Sequence, residues 1–374
     1  MSLGDAELDA FRQRTDEALD ELVSGLPPSE VGALLGALFR SDRVPEGNDR
    51  LRALLDRLPP VAVAEPGAVA AGQELFRLFG PESLLVLGCY SLPAAYAASN
   101  GVQVIYRARR LEDDGVRRLT ETAQMVLNVM VAGGLEPGGI GARSVRKVRL
   151  MHALVRQHVR AMGCPGWSSA FGEPINQEDL AGTLLTFSLL VLDGLKKVGA
   201  VISPAAEQGY YALWSHVGAV LGIDERLRPA TAASAVALAA RIGARQFRTS
   251  PEGQHLAREL VEVNDSLFPV PGYGLSLMHF FLTETPFGVD LAEVLALPPP
   301  NWTRVLVRAR AEQKRRVLGW LPRVPGAERR RRALSGFFAQ RLILLQRPDK
   351  SSPFEVPPEL WQRWRLRGRL APTA

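Results

Sequence analysis

The sequence predicts an all-α protein, on three observations. Apolar residues recur at three- and four-residue spacing, period-two alternation is almost absent, and Gly, Pro and Asn punctuate the periodic stretches. With 374 residues, 47% hydrophobic content and 22% charge, the chain can bury a sizeable core. No Ser/Gly-rich linker, low-complexity tract or repeat period divides it, so a single elaborated domain over residues 1–374 is expected.

Helices are predicted, in order, over residues 5–24, 71–79, 82–99, 114–131, 145–162, 177–198, 204–221, 230–242, 252–264, 302–318 and 327–345. Pro93 is expected to kink or split the third. Asn176 stands where an N-cap belongs, and Glu178 and Asp179 follow in the first turn, where acids favour the positive helix end. Pro204 opens the next helix, since the amide proton it lacks is one that a helix start leaves unused, and Gly222 closes it. Glycines 133, 134, 138, 139 and 141 crowd one connection. They lack the Gly-Lys-Ser/Thr ending of a phosphate loop and follow no strand, so they read as a tight turn that brings the helix of Arg118 against the helix of His152.

Composition removes several function classes. Cys89 and Cys164 are the only cysteines, and without metal-type spacing they read as reduced thiols. The acidic N-terminus has neither the charge nor the apolar core of an export signal, which predicts a cytoplasmic protein. The uncharged run 83–106 is broken by Pro93, Ser99, Asn100 and Gly101, and the run 180–192 is shorter than the ~20 residues a span needs. Both are expected in the core. The net charge of +6 gathers between Arg304 and Arg347. This is read as a solvated helix face, with peripheral contact to anionic lipid as the alternative; no nucleic-acid module is visible. Nucleophile-elbow, zinc-helix and dinucleotide motifs are absent, and a lone Glu252–His255 pair falls short of a di-iron bundle.

Two groups of residues carry chemistry. Arg149, His152 and Arg156 share one helical stripe, placing an imidazole between two guanidiniums. Such a stripe suits an iron porphyrin, with the imidazole on the metal and the cations on the propionates. A packed core histidine is the plain alternative. Arg118, Glu121 and Thr122 share another helix face, which could equally be a solvated face with an internal ion pair.

The stretch Lys147-Val-Arg-Leu-Met-His-Ala-Leu-Val-Arg156, with Asn176-Gln-Glu-Asp-Leu-Ala-Gly-Thr-Leu-Leu-Thr-Phe-Ser188 and Arg117-Arg-Leu-Thr-Glu-Thr-Ala-Gln124, resembles the latex clearing protein (rubber oxygenase) family and the related fungal oxygenases that shorten a prenyl side chain. The likeness is densest from about residue 118 to about 222. It implies a globin-like helical core at about 114–222, with additional N-terminal helices and arginine-rich C-terminal helices at about 301–347. It further implies b-type haem with His152 as the iron ligand, flanked by Arg149 and Arg156. Arg118 and Thr122 match the family's distal run, while Glu121 replaces its lysine. The family's distal glutamate, taken as the base for an allylic proton, would fall around residues 101–103, yet no carboxylate occurs from Pro93 to Leu111. Glu121 is then the candidate base or iron ligand, with burial expected to raise its pKa. Thr183 matches a pocket threonine, and Leu185 replaces a pocket histidine.

The function so implied is a haem-dependent oxygenase that uses dioxygen on a carbon–carbon double bond of an apolar isoprenoid or unsaturated substrate. Two alternatives stand beside it: a non-catalytic haem-binding or sensing protein, and a haem-free lipid-binding helical protein. The oligomeric state is not specified by the sequence.

Overall fold

A computed structural model of the chain describes residues 3–39, 48–58, 60–108, 115–161 and 167–320. The helix expected at 327–345, the C-terminal part of the arginine cluster and Cys164 lie outside the described residues. Among those described, the regular elements are helices: α1 (Asp5–Arg12), α2 (Glu17–Ser24), α3 (Pro28–Phe39), α4 (Asp49–Asp56), α5 (Pro66–Val86), α6 (Leu92–Tyr96), α7 (Val102–Ala108), α8 (Gly115–Met130), α9 (Ile140–Ala161), α10 (Gln177–Lys197), α11 (Pro204–Val220), α12 (Ala232–Gln246), α13 (Pro251–Ser266), α14 (Tyr273–Leu282), α15 (Leu291–Val294) and α16 (Thr303–Trp320). The all-α expectation holds.

The boundaries show what local pattern misses. The helix expected over 5–24 is two: Asp16 stands at the N-terminal boundary of α2, and its carboxylate, in place of capping that helix, is drawn to Arg149. The stretches expected at 71–79 and 82–99 are instead one long path: α5, a π-helical turn at Leu87–Ser91, then α6. The path bends at Phe79, whose φ of −121° is non-helical, just before Pro81. At Pro93 it runs straight out of the π turn, whose wider spacing accommodates a residue without an amide proton.

Pro66–Tyr96 is long and apolar enough to cross a membrane by composition, but 78% of its apolar window is buried within the molecule. It packs chiefly against α11, and the two backbones meet at glycines. A methyl on Gly72 would fall 2.6 Å from the Gly209 carbonyl oxygen, and one on Gly209 would fall 2.7 Å from that of Ala68. The glycine-dense connection between α8 and α9 is equally tight, since a methyl on Gly141 would sit 2.6 Å from the Asn128 oxygen. No side chain larger than hydrogen fits there, and α8 and α9 pack as neighbours.

Two apolar cores result. The larger is built around α5, α10, α11, α13 and α14, with Phe76, Tyr90, Leu190, Tyr210 and Phe281 fully buried. The smaller joins α2, α3 and α4 to one side of α9 through Leu19, Leu35, Leu38, Leu54, Leu150 and Leu154. Helix α9 is therefore covered by the N-terminal helices on one side and faces the body of the molecule on the other.

Ion pairs fasten that cover. Arg149 Nη2 donates to Asp16 Oδ1 at 2.9 Å, Arg156 Nε to Asp20 Oδ1 at 2.7 Å, and Arg160 Nη1 to Asp20 Oδ2 at 2.8 Å.

Candidate active site: an apolar cavity walled by the His152 helix

Between α9 and the body of the molecule lies a cavity of about 390 Å³, within the ordinary size range of small-molecule sites. Its walls come from α6 and α7, α8, α9, the first turns of α10, α11 and the end of α12. Most of the lining is apolar, including Ala94, Ile105, Met125, Val148, Phe187 and Trp214. Phe187 stacks on Trp214 with ring centroids 4.9 Å apart, which stiffens that wall.

His152 lines the cavity. Its Nδ1 is enclosed and has no hydrogen-bond partner among the described residues. Burial, with the Arg156 charge nearby as a lesser cause, pushes its pKa down to about 3. The imidazole is thus neutral over the physiological range and keeps a lone pair on one ring nitrogen, as an iron ligand requires.

The two arginines that share its stripe are placed elsewhere. Neither Arg149 nor Arg156 lines the cavity; each is committed to an aspartate of the N-terminal cover, and Arg149 Nη1 also donates to the Val220 carbonyl at 3.3 Å. In this arrangement the guanidiniums pair with carboxylates that the N-terminal cover supplies on the face they occupy.

Glu121 and Thr122 line the cavity from α8 and Thr183 from α10, so these sequence-selected residues are brought into one space with His152. The Thr183 hydroxyl donates to the Asp179 carbonyl at 2.9 Å. Arg118 lies on α8, and its side chain is outside the described residues. Leu185 is fully buried in the larger core and not part of the lining, so the wall owes none of its apolar character to that position. Gln124, Asn128 and Ser144 form a short polar chain along the wall, with Gln124 Nε2 donating to Asn128 Oδ1 at 3.0 Å and Asn128 Nδ2 to Ser144 Oγ at 2.9 Å.

One end of the cavity was not foreseen. Asn176 caps α10 as expected, its Oδ1 accepting the Asp179 amide at 2.9 Å. Glu178 and Asp179 do more than favour the helix start: both line the cavity. Arg12 Nη1 bridges them, 3.1 Å from Glu178 Oε2 and 2.9 Å from Asp179 Oδ1. Glu178 is fully buried and also accepts from Arg245 Nε at 2.9 Å and Gln246 Nε2 at 3.1 Å. Burial raises the Asp179 pKa to about 6, against the opposing pull of Arg12. A methyl on Gly101 would lie 3.2 Å from Asp179 Oδ1. Position 101, where the sequence lacks a carboxylate, therefore has one beside it, donated by another helix.

Comparison with known proteins follows this geometry. Residues 78–342 match the family described as ER-bound oxygenase mpaB/B'/Rubber oxygenase, catalytic domain. The chain belongs to this family. A curated relative, the rubber oxygenase of Streptomyces sp. (strain K30), is 26% identical over 149 residues, which are 39% of this chain and 36% of that protein. The match thus spans little more than a third of the relative's length. Among solved structures, latex clearing protein LCP in the closed state superposes with a TM-score of 0.68 at 21% identity, covering 89% of this chain and 90% of the other. The fold is therefore shared almost end to end. In this family member, α1 to α4 precede the matched residues, yet they supply the aspartates that hold Arg149 and Arg156 and, through Arg12, the bridge between Glu178 and Asp179.

Proposed function

We propose that the chain is a b-type haem-dependent oxygenase that uses dioxygen on a carbon–carbon double bond of an apolar, isoprenoid or otherwise unsaturated substrate. The observation that carries this reading is a neutral imidazole, its Nδ1 without a partner among the described residues, on the wall of an apolar cavity in a member of an oxygenase family.

The donor set fits haem: one nitrogen ligand, His152, beside apolar walls. When bound, haem would supply a redox-active iron for dioxygen chemistry. The remaining work falls to the chain. The apolar lining excludes water and takes up the hydrocarbon by area burial. Thr122 offers a hydroxyl to orient an oxygen atom, Thr183, whose hydroxyl proton is held by the Asp179 carbonyl, shapes the wall, and Arg118 is assigned to polarise the oxygen by hydrogen bonding. Glu121 is assigned a role as base or as an oxygen ligand. Arg149 and Arg156 act through helix α9, fixing His152 from behind. Cleavage to an aldehyde and a ketone is the outcome this reading gives.

The deciding experiment is the visible spectrum of protein expressed with a haem precursor, beside that of His152→Ala. Haem absorption lost in the variant, with oxygen uptake on an unsaturated substrate by the wild type, supports the reading. Wild-type protein that stays colourless through haem titration overturns it. Coloured protein without oxygen uptake leaves a haem-binding protein with no oxygenase activity.

A further inference from the structure

The polar end of the cavity is built almost wholly of acceptors. Gln246 lines it, is 3% exposed, and has its amide orientation set by the bond from Nε2 to the Glu178 carboxylate. Its Oε1 is consequently turned away from Glu178, buried, and without a partner among the described residues. A buried amide oxygen left unbonded costs free energy that a donor would recover. Beside it stands Asp179, whose Oδ1 accepts from Arg12 and whose Oδ2 accepts from Asn176 Nδ2 at 2.8 Å. A carboxylate oxygen accepts more than one bond, so Asp179 retains acceptor capacity where the absence of a side chain at Gly101 leaves it approachable.

The donors nearby are already engaged. Arg12 is shared among Glu178, Asp179 and the Phe171 carbonyl, and Arg245 between Glu178 and Asp9. The two guanidiniums thus face four carboxylates, Glu178, Asp179, Asp9 and Asp5, which leaves them no surplus positive charge for an anion.

We propose that this end of the cavity, formed by Gln246, Asp179 and Gly101, is a recognition site for the hydroxyl head of the substrate, making the preferred ligand an unsaturated prenyl alcohol in place of a bare hydrocarbon, a fatty acid or a prenyl phosphate. The hydroxyl donates to Gln246 Oε1 or the Asp179 carboxylate, and the apolar walls take the chain. A carboxylate or phosphate head finds no free donor and meets negative charge. The inference rests on the reading above in one respect: it takes this cavity as the substrate site.

The test is calorimetric titration of the full-length protein, as isolated, with farnesol, farnesoic acid and the hydrocarbon of the same length at pH 8. Farnesol is expected to bind about tenfold more tightly than the hydrocarbon, the worth of one to two net hydrogen bonds, with farnesoic acid the weakest of the three. Gln246→Met removes one of the two acceptors and should lower farnesol affinity toward that of the hydrocarbon while leaving the hydrocarbon unchanged. Gly101→Ala places a methyl against Asp179 without touching Gln246 and should lower farnesol affinity in the same selective way, so a folding defect in one variant leaves the other decisive. Equal affinities for the three heads, tighter binding of the acid, or no binding of any probe would overturn the inference. Oxygen uptake, followed separately with the hydrocarbon and the alcohol, distinguishes the two readings. Uptake without head preference removes the hydroxyl site and leaves the oxygenase, whereas head preference without uptake on either substrate does the reverse.

Discussion

Asp20 accepts from Arg156 and Arg160 together, and Arg156 is 1% exposed. Replacing Asp20 with Ala would leave a guanidinium buried without its counter-charge, a change that typically costs about 3–5 kcal/mol. Urea unfolding should show a loss of that order for Asp20→Ala, and a much smaller one for Glu312→Ala, whose partners Arg315 and Arg316 lie on an exposed helix face. The sequence marked Arg149 and Arg156 by spacing, which is set within one helix. It could not mark their partners, which lie 133 and 136 positions away. The same limit explains Asp179. A reading confined to its own helix makes it an N-terminal acid, and that is locally correct. Its second identity depends on Arg12, 167 positions distant, and on Gly101 in the turn before α7.

Asp179 also carries a pH signature. Burial raises its pKa to about 6 from the ordinary aspartate range near 4, so the native state holds this proton more tightly than the unfolded chain does. Such a group contributes stability that is present at low pH and lost as pH rises from about 4 to about 6, to the extent of about 3 kcal/mol. Asp179→Asn should abolish that contribution. Unfolding free energies measured across this window should show wild type losing stability relative to the variant as pH rises; parallel curves would contradict the assignment.

Element by element, the helices that were legible are those with caps and a clear apolar stripe. α9, α10, α11 and α13 fall within a few residues of expectation at most ends. The helices missed have physical reasons. α3 contains Gly32 and Gly36, which weaken its local preference, and α14 is apolar nearly all round and flanked by Pro269, Pro271 and Gly272, so that it shows little periodicity. The single helix expected over 5–24 failed because tertiary bonds to Asp16 outweigh local propensity. The α5–α11 crossing makes a prediction at this scale. Gly209→Ala would drive a methyl to 2.7 Å from a carbonyl oxygen, and the helices must separate to admit it. We expect a loss of about 1–3 kcal/mol in chemical denaturation, with Gly67→Ala, where a methyl meets nothing within 4 Å, close to neutral by comparison.

At the scale of the whole molecule, helix α9 belongs to two cores at once. Leu150 and Leu154 join the N-terminal cluster, while Val148 and His152 face the cavity. Exchange of backbone amide protons with solvent should report this arrangement. The N-terminal layer has its own small core, so it can open as a unit while the larger core stays closed. Each opening would expose one flank of α9 to solvent without unfolding it. The amides of α2 and α3 should then exchange through partial openings, and those of α9 more slowly, limited by loss of its packing against α8 and α11. The helix that carries His152 would in that way outlast the layer that covers it.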